Sequence, residues 1–175
     1  MASTVFPAAA AGKTRYFTSL TSGSSYTVPA GVTYLNVTLY GGGGGGGGAS
    51  GNFTSGNTLA TVGGTTSFTG ATSALGGTLG INMAAQQDTK VFGRDGTAGA
   101  ANTGQGGKGA FVCMANQVSI ACDAADGQVV SSTLTVTPGA SISYAIGAGG
   151  TGGFPNPGNT GGAGGSGRID VEYWV

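Results

Sequence analysis

Val32-Thr-Tyr-Leu-Asn-Val-Thr-Leu-Tyr40 runs directly into Gly41-Gly-Gly-Gly-Gly-Gly-Gly-Gly48, and this junction decides the fold. The first half alternates. Leu35, Val37 and Leu39 fall on one face and Tyr34, Asn36, Thr38 and Tyr40 on the other, the period of a strand with one buried side. The second half has no side chains to alternate, so the strand hands its chain to an element of a different kind.

The period of two recurs outward from this point. Val129 to Thr137 places Val130, Leu134 and Val136 inward, and Ser141 to Ile146 does the same with Ile142, Tyr144 and Ile146. Arg168 to Val175 sends Ile169, Val171, Tyr173 and Val175 to one side and Arg168, Asp170, Glu172 and Trp174 to the other, as an antiparallel sheet with one wet face permits. Shorter strands are expected at 14–20, 25–28, 58–62, 65–69, 111–114 and 117–121. Pro29-Ala-Gly31, Asp126-Gly127 and Pro138-Gly139 supply turns. No window repeats apolar residues at three and four, and only Ala84 to Gln87 suggests a single helical turn. The expectation is an all-β fold, an antiparallel β-sandwich with barrel-like closure as the alternative.

Glycine tracts adjoin these strands in a regular way. Gly41 to Gly48 and Gly147 to Gly153 leave strands, whereas Gly104 to Gly109 and Gly161 to Gly167 lead into them. Strand exits and entries share one edge of an antiparallel sheet, so the four tracts are expected to cluster at one end of the sandwich. Alone, eight glycines form a flexible linker with much backbone entropy to lose. Packed together, chains without Cβ atoms approach closely enough to hydrogen bond as polyglycine-II helices, much as Gly permits at the crowded axis of collagen.

Composition limits the function. Of 175 residues 39 are Gly, and 42 are large apolar or aromatic side chains, enough for a modest core. Six cations balance six anions, and residues 16 to 87 carry no charge, which disfavours a nucleic-acid partner needing clustered Lys and Arg. His is absent, which removes imidazole as base or ligand. No apolar run reaches the length of a membrane helix, and residues 1 to 12 lack the basic and apolar regions of a secretory signal, so synthesis in a cytoplasm is expected. The sequons at Asn36 and Asn52 are then incidental.

The segments Tyr26-Thr-Val-Pro-Ala-Gly-Val-Thr-Tyr-Leu-Asn-Val-Thr-Leu-Tyr-Gly-Gly-Gly-Gly44, Thr137-Pro-Gly-Ala-Ser-Ile-Ser-Tyr-Ala-Ile-Gly-Ala-Gly-Gly150 and Gly161-Gly-Ala-Gly-Gly-Ser-Gly-Arg-Ile-Asp-Val-Glu-Tyr-Trp174 resemble, in this order, the glycine-rich domain of bacteriophage tail-fibre, adhesin and other virion proteins. The resemblance covers residues 16 to 175. It implies a compact β domain displayed on a virion, often as a homotrimer and often where the host is touched. Residues 1 to 15 match nothing in that pattern and are expected to anchor the chain to another virion protein, while residues 81 to 130 look like an elaborated insertion. The expected role is a structural virion protein at the tail tip or fibre that contacts a host receptor or glycan. The alternative is a capsid decoration or baseplate subunit without receptor contact.

Side chains beside the glycine tracts are the candidates for that contact: Asn52, Phe53, Phe154, Asn156 and Asn159. Aromatic rings and amides give contact area and direction at low entropic cost, though Phe53 and Phe154 would equally serve as core plugs at the end of the sandwich. Cys113 and Cys122 flank an expected hairpin with its turn near 116–119. They form either a disulfide, if the chain meets oxidising medium, or two buried thiols. Two Cys without His do not suit zinc, and no cofactor is expected. Asp123 and Asp126 read as a polar turn rather than a cation site, and Arg94-Asp95-Gly96 as a turn with an internal ion pair. Asp170 and Glu172 share the outward face of one strand and so form no cleft for paired-carboxylate chemistry. No enzyme activity is expected.

Overall fold

The computed structural model describes residues 12–50, 58–84, 90–114, 118–154 and 158–175. In chain order its strands are β1 (Arg15–Leu20), β2 (Ser25–Thr27), β3 (Tyr34–Tyr40), β4 (Ala49–Ser50), β5 (Ser67–Phe68), β6 (Met83–Ala84), β7 (Lys90–Arg94), β8 (Phe111–Met114), β9 (Val118–Ile120), β10 (Val129–Thr135), β11 (Ser141–Ala145) and β12 (Arg168–Trp174). No helix occurs among the described residues. Two antiparallel sheets, ordered β1-β12-β3-β10 and β2-β11-β5, pack face to face as a sandwich whose edges stay open. The barrel-like alternative is thereby set aside.

The alternating residues form the core. Leu35, Val37, Leu39, Ile169 and Val171 are fully buried between the sheets, against Val28, Val32, Phe68, Ala74 and Tyr144. Each such aliphatic side chain stabilises the fold by about 1.5–3 kcal/mol. The Phe68 and Tyr144 rings stack at 6.3 Å, and the Tyr144 hydroxyl donates to the carbonyl of Ser22 at 2.7 Å. Val175, expected to face inward, is exposed, although its backbone still exchanges both hydrogen bonds with Thr14.

Beyond the sandwich the fold changes character, and the glycine tracts are packed rather than free. Gly41 to Gly48 are all buried, and every N–H from Gly41 to Ala49 has a partner. The partners come in threes: Gly41, Gly44 and Gly47 donate to Gln128, Ala125 and Cys122, Gly42 and Gly45 to Gly64 and Thr61, and Gly43 and Gly46 to Gly165 and Gly162. The carbonyls are filled at the same interval. Gly77 and Gly80 donate to Gly42 and Gly45, Gly150 and Gly153 to Gly43 and Gly46, and Gly107 and Ala110 to Gly44 and Gly47. Three residues per turn with bonds only between chains is the geometry of polyglycine II.

The octaglycine is therefore the axis of a bundle about 25 Å long at 3.1 Å per residue. Six segments surround it in the ring order 58–64, 74–82, 121–128, 104–110, 160–167 and 147–153, each hydrogen bonded to the next. Segments antiparallel to the axis alternate with parallel ones. A seventh segment, 95–100, lies outside the ring across 104–110 and 160–167, through Gly96 to Thr160, Gly99 to Ala163 and Lys108 to Thr97. Residues 58–62 thus run as a bundle chain and not as the expected strand, and 95–100, 104–110 and 121–128, from within 81–130, belong to the lattice.

The axis tolerates only glycine. A Cβ built on Gly44 would lie 2.6 Å from the carbonyl carbon of Thr78 and closer still to its oxygen. Those atoms are backbone and have no rotamer to escape by.

Candidate functional site

The tracts gather at one end of the sandwich, as expected from their places at strand exits and entries, and the bundle has two ends of different kind. At the near end Tyr40, Gln128, Ala145 and Gly167 join it to β3, β10, β11 and β12. At the far end the chain reverses four times: between Gly48 and Thr58, between Asn82 and Asp95, between Ala110 and Ala121, and between Phe154 and Asn159. Short pairings hold the described parts of these reversals. β4 pairs with β6 in parallel, β7-β8-β9 make an antiparallel sheet, and Thr58 exchanges both backbone bonds with Phe154 at 2.8 Å.

Polar side chains close the lattice where backbone partners run out. The Asn82 Oδ1 accepts the N–H of Gly48 at 2.8 Å, and its Nδ2 donates to the carbonyl of Thr58 at 3.1 Å, in place of the next lattice chain. Asp123 and Asp126, one polyglycine turn apart, accept the N–H groups of Gly109 and Gly106, each at 2.7 Å and also one turn apart. Donation from Gly109, reinforced by the Lys108 ammonium at 3.0 Å, holds the Asp123 carboxyl below its usual range against the opposing effect of burial. These carboxylates are lattice acceptors, and no group of metal-ligating side chains occurs among the described residues.

Two candidate contact residues sit at the far end, in different roles. Phe154 is 44% exposed, so the core-plug reading fails: its row, with Ala148 and Thr151, points away from the axis. Asn159 is half-buried. Its backbone pairs with Ala49, and its Nδ2 donates to Asp95 Oδ1 at 3.1 Å, beside the Thr160 N–H at 2.8 Å. Its amide thus fastens the rim. Asn52, Phe53 and Asn156 lie outside the described residues; of the helical turn expected at Ala84 to Gln87, Ala84 belongs to strand β6 and the rest lies outside them as well.

Both cysteine readings need correction. Cys122 is free and exposed, so it is neither half of a disulfide with Cys113 nor a buried thiol. Cys113 stands opposite Val118 in the hairpin, and Cys122 lies four residues beyond that position. The offset is about 13 Å along a strand, twice the roughly 4.4–6.8 Å between disulfide-bonded Cα atoms. The Arg94–Asp95 pair is also absent, since Asp95 accepts from Asn159 and Thr160 instead. On the outer sheet face Asp170 accepts from Ser19 and Arg168, and Glu172 pairs with Arg15.

A feature not anticipated from sequence lies next to the rim. Arg94, Phe111, Ile120 and Asp123 surround an open hollow floored by Gly109, Ala110 and Ala121. An aromatic ring, an exposed aliphatic and two opposite charges converge there, the mixed lining that suits a polar ligand with an apolar face. The available signal was the position of Phe111 and Ile120 immediately beside glycine-lattice residues.

The chain matches no family model and no curated protein.

Proposed function

We propose that this chain is a structural bacteriophage virion protein, set at a tail tip or fibre, that touches the host surface with the far end of its glycine bundle. The observation that carries this reading is the collection of all four far-end reversals at the tip of one hydrogen-bonded rod. Recognition residues belong on loops held by a rigid scaffold, and a lattice with every axial N–H satisfied is such a scaffold. Phe154 and the hollow between Arg94, Phe111 and Ile120 supply aromatic and polar contact area at that end. A host receptor or surface glycan is the partner, and residues 1–15, which lead into the edge strand β1, provide the attachment to a neighbouring virion protein.

The test is adsorption by virions carrying Phe53→Ala together with Phe154→Ala, with purified lipopolysaccharide as competitor against the parent. Reduced adsorption at unchanged particle assembly supports the reading. Normal adsorption by the double variant removes these residues from the contact. Phe154→Ala alone is expected to change protein stability by no more than about 0.5 kcal/mol, since the ring is on the surface.

A further inference from the structure

Among the described residues the hexagonal bundle is covered on one flank and bare on the opposite one. Segment 95–100 fills the outer groove between 104–110 and 160–167 and turns Asp95, Thr97 and Ala98 to solvent. Across the axis, the equivalent groove between 58–64 and 74–82 has no such chain among the described residues. Its outward side chains are Leu59, Val62, Leu75, Leu79 and Ile81, between 38% and 67% exposed. We infer that this flank is where a second copy of the chain docks, side to side, about a two-fold axis.

Three observations select that occupant. The first is area: the five side chains expose on the order of 500 Å², near the upper end of what an unused monomer surface carries. With the flanking Thr58, Thr61 and Thr78, the flank approaches the roughly 800 Å² that each partner contributes to a stable pair. The second is charge. Neither segment carries any, nor does any residue from 16 to 87, so two copies of this flank meet without like-charge repulsion across the axis. The third is direction. Segments 58–64 and 74–82 run antiparallel, so a two-fold axis lying in the interface plane sets each segment across from an antiparallel one, with the same repeat of about 9 Å along both. Leu59 and Val62 form one row and Leu75 and Ile81 another, and rows so spaced interleave with a copy of themselves. A trimer, the state expected from the family resemblance, needs two different complementary flanks per subunit, whereas an isologous pair needs only this one.

Sedimentation velocity on the full chain, from low to high micromolar concentration, tests the inference. The expected result is a reversible pair of twice the 16.6 kDa chain mass. Val62→Lys and Ile81→Lys should each weaken association by about a hundredfold at unchanged melting temperature, whereas Thr97→Lys, exposed on the opposite, covered flank, should leave it intact. Hydrogen exchange on the unmodified protein gives an independent reading, with slower exchange in 58–64 and 74–82 as concentration rises. A monomer at high micromolar concentration, a trimer, or a dimer indifferent to both lysines with no concentration-dependent protection would overturn it.

Discussion

Substituting Gly44 in the middle of the axis tests the packed lattice most directly. Its Cβ position lies 2.9 Å from the Gly77 oxygen and 2.6 Å from the Thr78 carbonyl carbon, so segment 74–82 must move away. That opening strains two buried hydrogen bonds, Gly77 to Gly42 and Gly80 to Gly45, each at 2.8 Å. Overpacking costs about 1–3 kcal/mol, and leaving one buried backbone pair poorly matched adds about 1–3 kcal/mol more. Against this, replacing Gly lowers unfolded-state entropy and stabilises by only about 0.4–1 kcal/mol. Gly44→Ala should therefore lose about 2–5 kcal/mol, and Gly44→Val more, out of a total near 5–15 kcal/mol. For a chain of this length each kcal/mol lowers Tm by about 2–4 °C, so a fall on the order of 10 °C is expected in a thermal melt followed by circular dichroism. Thr78→Val, on the outward row of the same neighbour, is the control and should melt with the parent. A Gly44→Val protein melting with the parent as well would refute the packed axis and restore the flexible linker.

Asn82→Ala removes both the acceptor of the Gly48 N–H and the donor to the Thr58 carbonyl and should cost about 1–3 kcal/mol by urea denaturation. The lowered carboxyl of Asp123 contributes stability that is present above the ordinary value of 3.8 and lost as pH falls through its lower folded value. Melting should thus fall in acid, and Asp123→Asn should flatten part of that fall; identical acid profiles would remove Asp123 from the lattice. Tyr26 behaves oppositely: burial, then Tyr173, raises its hydroxyl above 10.0, so its contribution is present below that pH and lost as pH rises through the folded value. Tyr26→Phe should soften the alkaline loss. Cys122 should react with a thiol reagent in the native protein without reductant, and absence of that reaction would contradict its free, exposed position.

The sandwich was legible because its signal has period two. Leu35, Val37, Leu39, Ile169 and Val171 were all placed inward from alternation alone, and all are fully buried. The bundle carries a different signal, a period of three. In 147–153 the buried positions are Gly147, Gly150 and Gly153, while Ala148 and Thr151 point out, and in 74–82 Gly77 and Gly80 face the axis while Leu75, Thr78 and Ile81 do not. Scanning for periods of two and 3.6 passes over this pattern. It reads Leu59, Thr61 and Val62 as a strand, and 81–130 as an insertion rather than three lattice chains. At the far end, the exposure of Phe154 follows from its setting among glycines, whereas the rim contact of Asn159 does not. Its partner Asp95 is 64 residues away, and nothing local announces that contact.

The two architectures in this chain stabilise each other through their common direction rule. Neighbouring strands in both sheets are antiparallel, and so are neighbouring chains around the glycine ring. A strand leaving the sandwich is thereby already pointed correctly for its lattice place, and the same connections serve both. Ordering the axis costs about 1–2 kcal/mol per residue in backbone entropy, more for Gly, and glycine buries no side chain to offset it. The compensation must come from interchain bonds whose partners are held in place beforehand. β3, β10, β11 and β12 hold one end of their chains, and Arg168 stitches the junction by stacking on Tyr40 at 3.8 Å while donating to Asn102 at 2.9 Å and pairing with Asp170. The bundle therefore has no stability of its own to fall back on when the sandwich opens. Unfolding should be a single transition in which far-end and sandwich probes coincide.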